Sequence, residues 1–81
     1  MKRIEPEILD YYNGAVVPMI IEKYGYSQMD ALRAFLLSKT HEMLEDEAYG
    51  LTSFGAGGIF DLWEADQVTG DPRNSIYIRG E

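Results

Sequence analysis

The sequence predicts a mostly α-helical fold: residues 1–81 form one domain, a small bundle of three or four helices, with a tail readable as a short C-terminal strand or an extended arm. Three observations carry that expectation. Apolar side chains recur at three- and four-residue spacing in three separate segments, which is the pattern of helices with one buried face. Those segments are punctuated by residues that start and stop helices, Pro6, Gly25, Ser27, Gly50 and Gly70. Finally, 81 residues of which 46% are hydrophobic suffice for one core and not for two.

The first helix is read over Glu5 to Tyr24. Pro6 suits a first helical position, where its missing N–H costs nothing. Glu5, Glu7 and Asp10 lie where the positive end of the helix dipole favours acids. Ile8, Leu9, Tyr12, Val16, Met19, Ile20 and Tyr24 supply the apolar face, and Gly25 is the stop. Gly14 and Pro18 interrupt this segment, because a proline removes the hydrogen bond to the carbonyl four residues earlier. The apolar face runs through the interruption, so a kinked helix is favoured over two short ones.

The second helix opens at Ser27, an N-cap with Asp30 three residues on, in a variant of the capping box. Met29, Leu32, Phe35 and Leu36 form its expected inward stripe, extended by Met43 and Leu44. At Ser38-Lys39-Thr40 two readings stay open: the helix continues, or Ser38 caps a new one, with Gly50 ending the run in either case. The last helix is expected from near Gly58 to Gly70, with Ile59, Leu62, Trp63 and Val68 inward and Asp61, Glu64 and Asp66 outward or flanking. Asp71-Pro72 forbids continuation. Beyond it Ile76, Tyr77 and Ile78 alternate weakly, which gives the strand-or-arm reading.

Composition narrows the function classes. The absence of cysteine removes disulfides, thiolate catalysis and Cys-based zinc sites. The longest apolar run, Ala15 to Ile21, contains a proline and is far short of the ~20 residues that cross a bilayer. The opening meets acids at once, unlike a secretory signal, and a cytoplasmic setting is the expectation. Net charge is −7, and between Glu42 and Asp71 there are acids but no Lys or Arg. Such a field repels nucleic-acid backbones, so direct nucleic-acid binding is not expected and a basic protein partner is the better match. Six Tyr, three Phe and one Trp are a heavy aromatic load for so small an interior, which leaves room for a homo-oligomer.

No catalytic constellation is legible. Gly55-Ala56-Gly57-Gly58 fits half of a dinucleotide fingerprint, but Phe60 stands where the last glycine belongs and no β-type run precedes it. His41 and Glu45 share a helix face, yet position 45 does not supply the second histidine of a zinc helix, so a surface i,i+4 pair is expected and no metal or cofactor. Asp61, Glu64 and Asp66 would work as paired carboxylates only inside a cleft, which a lone small bundle rarely encloses. What remains is a docking surface. The acidic residues Glu42, Glu45, Asp46, Glu47, Asp61 and Glu64, with Phe60 and Trp63 as aromatic anchors, are the expected contact for a basic partner. The alternatives are an acidic nucleic-acid mimic that blocks a DNA-binding protein, and a carboxylate- or metal-dependent enzyme with a site between subunits.

Two segments, Tyr24 to Leu51 and Gly58 to Arg73, carry a resemblance. With an aromatic–Leu–Ser-Lys-Thr stretch at Phe35 to Thr40 and an acidic run at Leu44 to Glu47, the sequence resembles short uncharacterised proteins of Gram-positive anaerobes and gut bacteria, a domain-of-unknown-function type. Relatives of that kind sometimes sit beside toxin-like genes, so the resemblance implies an antitoxin-like or other partner-binding role. It brings no catalytic residues with it.

Overall fold

A computed structural model describes residues 3–71 as a bundle of four helices, α1 (Pro6–Tyr24), α2 (Gln28–Leu36), α3 (Lys39–Glu45) and α4 (Gly55–Thr69). Two short 3-10 turns, Glu47–Tyr49 and Leu51–Phe54, link α3 to α4. α1 packs on α2 and on α4, while α3 closes against α4 and α2. Among the described residues no strand forms, and extended backbone pairs only at an isolated antiparallel bridge between Arg3 and Asp46. There the Ile4 N–H donates to the Glu45 carbonyl at 3.0 Å, tying the segment before α1 to the end of α3. The tail read as a strand or arm, with Ile76, Tyr77 and Ile78, lies outside the described residues.

Local chemistry sets most of the helix ends. Pro6 stands in the first turn of α1, and Gly25 ends it in the left-handed region, φ 70°, where a side chain would be strained. Gly70 does the same for α4 at φ 79°. Ser27 caps α2 by accepting from the Asp30 N–H at 3.1 Å. Ser38 settles the choice left open at positions 38–40. Its Oγ accepts from the His41 N–H at 3.1 Å and donates to the Phe35 carbonyl at 2.6 Å, so one helix stops and another starts. α1 is a single helix running through Pro18.

The core contains Tyr12, Val16, Val17 and Ile20 from α1, Ala31 and Phe35 from α2, Leu44 from α3, Leu51, and Ile59, Leu62 and Trp63 from α4. It departs from the expected stripes in ways that matter for function. On α2 the inward residues are Ala31 and Phe35, while Met29 is 63% exposed and Leu36 41%. On α1, Ile8 and Tyr24 are exposed and Val17 is buried instead. α4 starts at Gly55, three residues earlier than expected, and α3 ends at Glu45, so Gly50 ends a 3-10 turn and not a helix. Val68 was expected inward and is 82% exposed, whereas Asp66 was expected outward or flanking the stripe and is buried. The Asp66 carboxylate accepts from the Thr40 N–H at 3.3 Å and the Thr40 hydroxyl at 3.4 Å, which satisfies it at the start of α3.

Candidate functional site

The acidic residues expected to face a partner are in large part held by the fold itself. Glu45 is half-buried, with Oε2 3.0 Å from Arg3 Nη1 and Oε1 3.0 Å from His41 Nδ1. Asp46 accepts from the Ala48 N–H at 3.0 Å and caps the 3-10 turn that follows. Glu64 Oε2 accepts from Lys23 Nζ and from the Tyr24 hydroxyl, both at 2.5 Å. Burial alone would push the Glu64 carboxyl up, but these two donors and the lysine charge outweigh it and hold the pKa below its ordinary value. Glu42 and Glu47 are exposed, and Asp61 is half-buried. The acids therefore form no single unengaged face. Asp61, Glu64 and Asp66 also do not form a carboxylate pair, since Glu64 turns to α1 and Asp66 to α3.

Two further expectations are corrected. Trp63 is 1% exposed and presents no edge to a partner. Its indole N–H points at the Ala34 carbonyl at 3.4 Å, and its ring stacks on Phe60 and meets the edge of Tyr24. Phe60 is half-buried beside it, with Lys23 Nζ 5.7 Å from its ring centre. His41 is not half of a surface pair but a buried side chain. Nδ1 meets Glu45, Nε2 lies 3.1 Å from Asn13 Oδ1, and the ring stands edge-on to Phe35. Burial pushes the imidazole pKa down, against the pull of the Glu45 carboxylate. Among the described residues no group of three His, Asp or Glu side chains is placed to share a metal ion, and no helix is long and apolar enough to cross a membrane.

What the sequence did not single out is the seam between α1 and α2. An open groove of about 260 Å³ is lined by Asn13, Gly14, Val17, Pro18, Ile21, Gln28 and Leu32. Its walls are mostly apolar. Leu36 lies one helical turn beyond Leu32, and Met29 three residues before it, so the apolar surface continues from the groove onto the outer side of α2. Leu37, at the end of that helix, is 79% exposed. A signal for this surface was present in the sequence. α2 carries large apolar residues on two sides, and only one side can face a core. The Gly14–Pro18 pair was a second signal, for it opens the groove wall on α1. No family model, curated protein or solved structure matches the chain.

Proposed function

We propose that this chain is a small protein–protein interaction module of the cytoplasm, antitoxin-like in the regulatory sense that the resemblance implies, and that it docks a basic partner. The observation that supports this reading is the outward apolar side of α2, with Met29 and Leu36 exposed within one helical turn of the groove residue Leu32, and Leu37 exposed at the end of the helix. Contiguous apolar surface of this kind marks contact sites in folded proteins. Charge supplies the complement. A chain of net charge −7 steers and retains a partner of opposite sign and disfavours nucleic acid. The engaged acids Glu45, Asp46 and Glu64 contribute through that field and not through direct contact.

Photo-crosslinking tests the reading. A benzophenone amino acid is placed at Leu37 in one protein and at Val68 in another, both exposed sites on different helices. In lysate of the source cells, one defined adduct is expected from Leu37 and none from Val68. The adduct should fade at high salt and disappear when Leu36 and Met29 are changed to Gln. Adducts from Val68 alone, or none from either position, would overturn the reading.

A further inference from the structure

His41 carries two polar nitrogens into the interior and meets an oxygen at each. The residue is 4% exposed, so both nitrogens depend on protein partners. Nδ1 lies 3.0 Å from Glu45 Oε1, and Nε2 lies 3.1 Å from Asn13 Oδ1. A carboxylate only accepts, so the single proton of a neutral imidazole belongs on Nδ1. Nε2 is then a bare acceptor, and an acceptor facing an amide oxygen makes no bond. The Asn13 oxygen therefore suits a ring protonated on both nitrogens, whereas a neutral ring needs the amide turned over, with Nδ2 donating to Nε2. Asparagine can serve both states, because its amide holds a donor and an acceptor side by side. Asn13 is half-buried and lines the open α1–α2 groove, so water can partner whichever end faces away from the ring. Around the ring, α3 itself supplies the titratable Glu45, backed by Arg3 from the segment before α1. α1 supplies the uncharged Asn13 amide, α2 the Phe35 ring, and α4 brings Asp66 to the neighbouring Thr40. Burial favours the neutral ring and the Glu45 carboxylate the charged one, so the two states compete.

We propose that His41 and Asn13 form a proton-linked relay between α3 and α1. In one state the neutral ring donates from Nδ1 to Glu45 and accepts at Nε2 from the Asn13 amide. In the other, a proton taken from solvent onto Nε2 turns that amide over, and Oδ1 accepts from the new N–H. The ring stays in place throughout. Glu45, tied to Arg3 through its other oxygen, accepts from Nδ1 in both states, and Phe35 stands edge-on against the imidazole. The moving part is a single amide at the edge of the groove. A protonation event on a buried residue of α3 is thus expressed on α1 as the exchange of a donor for an acceptor. The relay is independent of the docking reading and of whatever occupies the groove.

The test is nuclear magnetic resonance of the isotope-labelled full chain from about pH 8 to about pH 5. His41 is the only histidine, so its ring signals need no further assignment. At the alkaline end the nitrogen shifts should place the single proton on Nδ1, with a coupling across the hydrogen bond from Asn13 Nδ2 to Nε2. On acidification Nε2 should gain a proton, that coupling should vanish, and the Asn13 amide protons should exchange faster with water. Asn13→Asp, which keeps the shape but offers only acceptors, should raise the His41 midpoint by about one pH unit or more. Circular dichroism at each pH shows whether the fold is retained. A neutral ring with its proton on Nε2 would overturn the proposal, as would an Asn13 amide signal unchanged through the titration. An Asn13→Asp chain that is folded but titrates like the parent would place Asn13 out of contact with Nε2 and overturn it too. Unfolding of the parent chain before the ring charges would mean that no charged folded state exists, and the relay would fall with it.

Discussion

His41 Nδ1 lies 3.0 Å from Glu45 Oε1 in the interior of the bundle, and the other carboxylate oxygen of Glu45 holds Arg3. The ring's second nitrogen reaches Asn13 on α1, so one histidine joins α3 to the first helix and, through Glu45, to the segment before it. The pH dependence of stability follows. Burial lowers the folded-state pKa below the ordinary 6.5, so the unfolded chain binds the proton more tightly than the folded one. The contribution is fully present above pH 6.5 and is lost as pH falls through the lowered folded value. Urea unfolding from about pH 8 to about pH 5 should show the midpoint dropping on the acid side of 6.5. His41→Gln should flatten that part of the curve, and an unchanged slope in the variant would exclude His41 as its source.

The same pair separates structural acids from solvated ones. Glu45→Lys sets a cation against both Arg3 and His41, and is expected to cost about 1–3 kcal/mol of stability. Glu42→Lys, three residues earlier on the exposed side of α3, should stay within about 0.5 kcal/mol. Denaturant midpoints of the two variants decide the point. Equal costs would mean that the network at Glu45 contributes nothing to folding.

Ser38 is the hinge between α2 and α3, since one hydroxyl closes the first helix and caps the second. Ser38→Ala leaves the His41 N–H and the Phe35 carbonyl without that partner in a buried setting, and should cost about 1–2 kcal/mol. Thermal unfolding by circular dichroism reads the loss. Ser38→Thr, which keeps the hydroxyl, should recover part of it.

Legibility from sequence followed the range of the interaction. Pro6, Gly25, Ser27, Ser38 and Gly70 act on residues within four positions, and each was recognisable as a cap, start or stop, Ser38 as one of two open readings. α4 begins at Gly55 although glycines are poor helix formers, because packing of Gly58, Ile59 and Leu62 into the core overrides local propensity. His41 and Asp66 were read as solvated because polar side chains usually are. Their partners Asn13 and Thr40 lie 28 and 26 residues away, and no short-range pattern announces them. Periodicity succeeded only in part on α2, for a different reason. Phe35 and the half-buried Leu32 turn inward as expected, but the small Ala31 joins Phe35 on the core side while Met29 and Leu36 face out. The candidate docking surface is the side that faces out.

That division of α2 yields the sharpest contrast between folding and function. Phe35 is completely buried, and Phe35→Ala should cost about 3–5 kcal/mol, enough to unfold much of so small a domain. Leu36 and Leu37 follow it directly in the chain but stay 41% and 79% exposed. Changing both to Gln removes few native contacts, so stability should move by no more than about 1 kcal/mol, and solubility should rise. Partner capture should nevertheless be lost, because the changes remove the apolar surface that continues from the groove. Chemical denaturation and the crosslinking yield from Met29 measure the two effects on the same protein. If the Leu36→Gln, Leu37→Gln double variant unfolded as readily as Phe35→Ala, the outer side of α2 would belong to the core, and its exposure would not mark a docking surface.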